Sequence, residues 1–254
     1  MPNETKQSPA APESRGFIGE WTVTILMLLF GTTSLVQAFV IPTGSMETTL
    51  MVGDHLLVDK LVYSPPDAAT RQLLPYRDVR RGDIIVFRYP LDLRQTYVKR
   101  AIGLPGDHVR FSGKKLILNG KMLDEPYARH ISAEDVPYRD SFPGAAPFHA
   151  LRPEAGDMLA RYVVNDELVV PNGFVFAMGD NRENSDDSRY WGLVPRENIV
   201  GTPLLVYWSY DASTADLSAP GLGVEHLVDI GLHFFTKTRW SRSLRLVHSY
   251  PLGR

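Results

Sequence analysis

Apolar and polar positions alternate along this chain in two distinct ways. From Trp21 to Val40 they form one nearly unbroken apolar run, with no charged residue between Glu20 and Glu47. About 20 predominantly apolar residues suffice for a membrane-spanning helix, so the run predicts one over 17–41. Its second half, with Thr32, Thr33, Ser34 and Gln37, is less apolar than its first. Two other readings stay open. Val36-Gln37-Ala38 fits the small-residue pattern before a signal cleavage site, although the run exceeds the 7–15 apolar residues of an ordinary signal core. A buried core helix is the second.

Beyond Pro42 the apolar residues fall instead into short stretches. His55–Lys60, Asp83–Tyr89, Tyr97–Ile102, Lys115–Leu118, Arg161–Val164, Phe174–Met178 and Leu204–Trp208 are rich in β-formers and predict strands. Gly-Asp pairs at 53, 82, 106, 156 and 179 separate them. Asn119-Gly120, between Leu118 and Lys121, predicts a tight hairpin. No long helical period interrupts this series, which disfavours parallel α/β folds. The expected fold is mainly β, with two antiparallel sheets and one amino-terminal transmembrane helix.

The remaining segments are less regular. Residues 1–16 read as a disordered tail. Residues 124–160, with five prolines, predict an inserted lobe or long loop within a β-rich domain over 42–210. In the extension 211–254, Leu227, Ile230, Phe234 and Phe235 recur at helical spacing, followed by Lys237, Arg239 and Arg242. Such a stripe fits a helix packed on the β domain. It also fits an amphipathic segment resting on anionic lipid.

Composition narrows the chemistry. The net charge of -2 offers no basic field, so nucleic acid is not an expected partner. The absence of cysteine removes disulfides, Cys-ligated metals and a thiol nucleophile. No Walker, Rossmann or metal-ligand spacing appears, so neither cofactor nor metal is expected. The 19 prolines and 20 glycines lie mostly after residue 40 and argue against a helical bundle.

Three blocks carry candidate chemistry. Ile41-Pro-Thr-Gly-Ser-Met46 follows directly on the apolar run. Tyr97-Val-Lys-Arg-Ala-Ile-Gly-Leu-Pro-Gly-Asp107 is the second, and Gly179-Asp-Asn-Arg-Glu-Asn-Ser-Asp-Asp-Ser-Arg-Tyr-Trp-Gly192 the third. Serine-dependent peptide hydrolysis needs a base for the hydroxyl proton and a donor for the tetrahedral oxyanion. Ser45 lies a few residues past the apolar run, and at no more than about 3.6 Å per residue it stays near any membrane surface there. Strand alternation puts Tyr97, Lys99 and Ala101 on one face and Val98, Arg100 and Ile102 on the other. Which face is buried is not legible. Arginine stays protonated, whereas a desolvated lysine can approach neutrality and act as a base.

In this order the blocks resemble the type I signal peptidases, membrane-bound leader peptidases that remove signal peptides from exported proteins. The resemblance covers most of 39–208. It implies a Ser-Lys dyad of Ser45 and Lys99 with no histidine required, although seven histidines are present. It implies that the Thr43 hydroxyl, where the family more often has serine, assists the Ser45 N–H in an oxyanion hole. Ser185 matches a serine that orients the lysine, and Asp187 and Arg189 match a supporting charged pair. Shallow apolar pockets for small substrate residues are implied at Phe39, Ile41, Met46, Leu50, Leu56, Tyr97 and Val98. One departure is Glu47-Thr48-Thr49-Leu50, which lacks the family's proline and predicts an altered turn.

The resemblance implies that the partners are signal peptides of preproteins and membrane lipid. It implies a single-pass protein of the cell (inner) membrane. Lys6 and Arg15 precede the run and Lys60 is the first cation after it, favouring a cytoplasmic amino terminus and an extracytoplasmic domain. A membrane-anchored β domain that binds peptides without cutting them is the alternative. The self-cleaving SOS repressors also use Ser-Lys chemistry, but carry a DNA-binding module where this chain has its apolar run. Ser45-Met-Glu-Thr48 lacks the lysine of the penicillin-binding Ser-x-x-Lys motif.

Overall fold

The computed structural model describes residues 16–63, 76–144, 151–218, 224–250 and 252. The expected tail lies, apart from Gly16, outside them. Helix α1 (Phe17–Phe30) continues into a π-helical turn at Gly31–Leu35. Strands β1 (Val36–Val40), β2 (Asp54–Asp59), β3 (Ile84–Tyr89) and β4 (Asp92–Gly103) follow. Next come β5 (His108–Ser112), β6 (Lys115–Leu118), β7 (Lys121–Met122), α2 (Pro137–Asp140) and α3 (Pro153–Tyr162). The chain continues through β8 (Val163–Val164), β9 (Glu167–Val169), β10 (Phe174–Met178), α4 (Ser188–Trp191), β11 (Val194–Pro195) and β12 (Ile199–Ser209). It closes with α5 (Thr214–Ser218), α6 (Val224–Lys237) and β13 (Arg245–Leu246).

The described strands form two antiparallel sheets. One has the order β1-β2-β12-β3-β4-β10-β11 with β13 on β12, the other β7-β6-β5-β9-β8. The period-two pattern decides where each strand buries its side chains. Ile84 and Val86 of β3 join Ile41, Met46, Leu50, Leu56 and Val98 in one cluster, while Ile85 and Phe87 join Ala101, Ala177 and Trp191 in another. A third cluster, around Ile102, Phe111, Phe142 and Phe176, unites the two sheets. Each such side chain withdrawn from water contributes about 1.5–3 kcal/mol. Asn119 (φ 52°) and Gly120 (φ 73°) turn β6 into β7 with Leu118 opposite Lys121, the expected hairpin.

Several boundaries differ from the sequence reading. The helical stretch ends at Leu35, not residue 41, because Val36–Val40 pairs along its whole length with β2. Main-chain bonding to the sheet wins over helical continuation in that less apolar half. Among the described residues no helix is long and apolar enough to cross a membrane. Within the expected strand 161–164 only Val163 and Val164 are extended. The preceding residues form α3, which starts with Pro153 in its first turn and buries Ala155 and Met158 three apart on one face.

Nor does 124–160 stand apart: Tyr127, Tyr138, Phe142 and Met158 are buried in the cluster that unites the sheets. The carboxyl-terminal segment is likewise built into the β layer. Leu205 and Val206 pair with Leu246 and Arg245, Phe234 of α6 packs on Trp208, and Leu252 is buried.

Candidate active site

Ser45 sits in a single 3-10 turn, Gly44–Met46, which follows β1 and is pinned by the burial of Met46 below it. Ile41 leads into that turn and exchanges main-chain hydrogen bonds with the β2 side, Ile41 N to Asp54 O (2.9 Å) and Gly53 N to Ile41 O (2.9 Å). Lys99 comes from the centre of β4, opposite Ile85. The two meet at the floor of a cleft, where Lys99 Nζ donates to Ser45 Oγ at 2.6 Å. Both are buried, Lys99 with 4 % of its surface exposed. Burial penalises the charged ammonium and lowers its pKa from 10.5 to about 8, against the opposing pull of Asp187, Asp186 and Asp180. The neutral form therefore becomes the main one only above about pH 8, far below the range of an exposed lysine.

The third block encloses the pair from the side. Gly179 lies so close to Ser45 that a Cβ there would stand 2.4 Å from the Ser45 carbonyl oxygen and 2.3 Å from Ser185 Oγ. Only hydrogen fits at this position. Asn181 N–H donates to the same Ser45 carbonyl (3.1 Å) and Asn181 Nδ2 to Gly44 O (3.2 Å). These bonds fix the turn that presents Ser45.

Asp187 caps α4, accepts from Gly179 N (3.2 Å), and is paired with Arg189 Nη2 at 2.8 Å, both side chains being buried. Burial would raise the Asp187 pKa, but the charge and hydrogen bonds of Arg189 hold it below the ordinary carboxylate range. Ser185 is buried too, yet its Oγ has no hydrogen-bond partner among the described residues, so it makes no bond to Lys99 in this structure.

The cleft holds about 800 Å³ and runs between the edge strand β1 with its extension to Met46 and residues 94–99 of β4. Of the residues expected to shape it, Phe39, Ile41, Thr43, Met46, Tyr97 and Val98 line it. Leu50 and Leu56 do not. Both are fully buried in the cluster behind Ile41 and Met46, where they support the wall without reaching the cleft. Thr43 is exposed at the amino-terminal end of the 3-10 turn. Tyr97 stacks on Tyr89, with ring centroids 4.4 Å apart. A smaller cleft of about 430 Å³ beside α3 lies away from this pair.

Other contributors escaped the sequence reading. Arg100, the neighbour of Lys99, is buried in a two-point ion pair with Asp180 (2.7 and 2.6 Å) and lies over the Tyr127 ring at 3.9 Å. Thr49 Oγ1 donates to the same carboxylate at 2.5 Å. The turn expected to differ from the family pattern, with a cis Glu47–Thr48 peptide, is thereby tied to the third block. From the carboxyl-terminal segment, Arg242 Nη2 pairs with Asp54 Oδ2 at 2.5 Å and Arg239 Nη1 donates to Val52 O at 2.8 Å. Gly179-Asp180-Asn181 was conspicuous as a motif, but its partners are largely main-chain carbonyls and a distant arginine, which no spacing announces.

A serine hydroxyl bonded to a buried amine in an open cleft has the geometry that a nucleophile and its base require. The profile of the signal peptidase family, peptidase S26, matches residues 15–208. Signal peptidase I of Pseudomonas fluorescens is 40% identical over 190 residues, covering 69% of this chain and 66% of that one. Signal peptidase I of Aquifex aeolicus is 35% identical over 228 residues, covering 76% and 83%. A solved signal peptidase I from Enterococcus faecalis is 34% identical, covering 50% of this chain and 97% of that one, with a TM-score of 0.38. The match thus spans just under two thirds of the Pseudomonas fluorescens protein. The chain belongs to the signal peptidase family, peptidase S26.

Proposed function

We propose that the protein is a membrane-anchored serine endopeptidase that removes amino-terminal signal peptides from exported preproteins. The observation that carries this reading is the 2.6 Å contact between Ser45 Oγ and a buried Lys99 Nζ. Neutral Lys99 takes the hydroxyl proton as Oγ bonds to the scissile carbonyl carbon. The resulting oxyanion is met by the Ser45 N–H, which as a first-turn donor lacks an intrahelical acceptor, and by the Thr43 hydroxyl. The lysine then returns the proton to the leaving amine, and the acyl-enzyme ester forms. Water, deprotonated by the same lysine, attacks the ester and frees Ser45. Ser185 serves to orient Lys99 as substrate enters, and Asp187 with Arg189 holds the segment carrying Ser185.

The substrate class follows from the cleft. Phe39, Ile41, Met46 and Val98 give it apolar walls, and shallow pockets reject large side chains by clash. The edge strand β1 and the part of β4 before Arg100, which β10 does not pair among the described residues, flank the cleft, which suits an extended peptide added as a strand. The apolar side chains of α1, exposed from Phe17 to Phe30, are proposed to hold the domain at the membrane, with the amino terminus cytoplasmic and the domain from Pro42 extracytoplasmic. Exposed Leu232, Phe235, Trp240 and Leu244 near Arg245 suit contact of the carboxyl-terminal segment with anionic lipid.

The test is cleavage of a preprotein by the full chain in detergent. A single cut after Ala-x-Ala is expected, with an aromatic residue just before the cut blocking it. Equal cleavage of both substrates sinks the pocket assignment. Binding without any cut favours a non-catalytic peptide-binding domain.

A further inference from the structure

The cleft has a third wall that the family match does not reach. The match ends at residue 208, yet Leu217 and Ser218 of α5 line the cleft together with Phe39–Thr43 and Arg94–Thr96. α5 is a short element, but it is firmly placed. Ser213 and Asp216 cap it reciprocally: Asp216 N donates to Ser213 Oγ (3.2 Å), and Ser213 N and Oγ both donate to Asp216 Oδ2 (3.3 and 2.6 Å). Its base is held to the carboxyl-terminal end of α6 by the Arg239–Asp211 ion pair (2.7 Å) and by Asp211 N donating to Lys237 O (2.9 Å). Leu217 is the half-buried apolar side chain of a helix whose Asp216 and Ser218 are exposed.

We infer that Leu217 is a specificity-determining residue, which favours substrates carrying an apolar side chain at a position remote from the scissile bond. Ser45 and Lys99 need only the residues flanking the cut. Leu217 stands on a helix separate from the turn and strand that carry Ser45 and Lys99, so a substrate that fills the cleft between them meets both. A contact made equally in the bound substrate and the transition state acts on affinity, so its loss raises KM and leaves kcat unchanged. The inference rests on the peptidase reading and adds to it a contact supplied from outside the matched region.

The experiment compares two substrates of the full chain in detergent. One is a preprotein that fills the cleft; the other is a short peptide with the same residues immediately around the cut. Leu217→Asp and Leu217→Ala are made, and thermal melts check that both fold like the parent. With the preprotein, kcat/KM is expected to fall about tenfold for the alanine and further for the aspartate, through KM, as for loss of an apolar contact. With the short peptide, both variants should match the parent. Equal losses on the two substrates, or no loss on either, overturn the inference while leaving the peptidase reading intact. A parent chain that cleaves neither substrate overturns that reading, and the inference with it.

Discussion

Lys99 and Arg100 are adjacent cations in one strand, and both are buried, yet they experience opposite surroundings. Arg100 is met by the Asp180 carboxylate at two points, by Gly82 O at 2.7 Å and by the Tyr127 ring. Lys99 has no carboxylate within ion-pairing distance among the described residues, only a neutral hydroxyl and, 5.6 Å away, the Tyr97 ring. A buried cation with a paired anion stays charged and ties elements together. One without such a pair gives up its proton more readily, which is what a base requires. The same strand thus holds a structural cation and a candidate base, and the difference lies in what the fold places opposite each.

The largest effect should come from removing the unpaired member. Lys99→Ala should lower turnover about 10²–10⁴-fold, the usual contribution of a general base, in a protein that still folds. Lys99→Arg should not rescue it, because guanidinium remains protonated. Near-normal cleavage by folded Lys99→Ala protein would break the comparison. On the other face, Arg100→Ala leaves Asp180 buried without its partner and should cost about 3–5 kcal/mol in denaturant unfolding. A loss below about 1 kcal/mol, the scale of an exposed pair, would show that the Arg100–Asp180 contact is not the one that matters.

pH separates the two cations further. Lys99 has a folded pKa of about 8 against 10.5 for the ordinary side chain, so the unfolded chain binds the extra proton between those values. Stability should therefore rise with pH from about 8 to about 10.5. Below pH 8 the full penalty, about 3 kcal/mol, is present. Lys99→Met should abolish that slope in unfolding titrations, and a slope that survives the change would assign it elsewhere. Turnover should rise with pH through about 8 as the base deprotonates. The smallest effect is expected for Ser185→Ala, about tenfold in kcat, since a base can still be reached when its orienting group is lost. Loss as deep as that of Lys99→Ala would mean that Ser185 itself moves the proton.

How much of this was legible varies with the range of the interaction concerned. Short-range rules suffice for the Asn119-Gly120 hairpin, for about half of the described strands and for the mainly β class, because turn residues and period-two alternation act over a few positions. Side-chain chemistry set Arg100 aside as a base, and the resemblance of the three blocks, in their order, selected Ser45 and Lys99. The apolar run announced a helix, but where it ends was decided by β2, whose main chain captures Val36–Val40. Pairing partners distant in sequence also decided that Lys99 and Arg100 are both buried, that Leu50 and Leu56 stand behind the cleft, and that Asp180 reaches Arg100. Residue types and local periods are written in the chain itself. Burial, and with it the protonation of a lysine, depends on what the rest of the fold brings alongside, so only the tertiary structure could determine it.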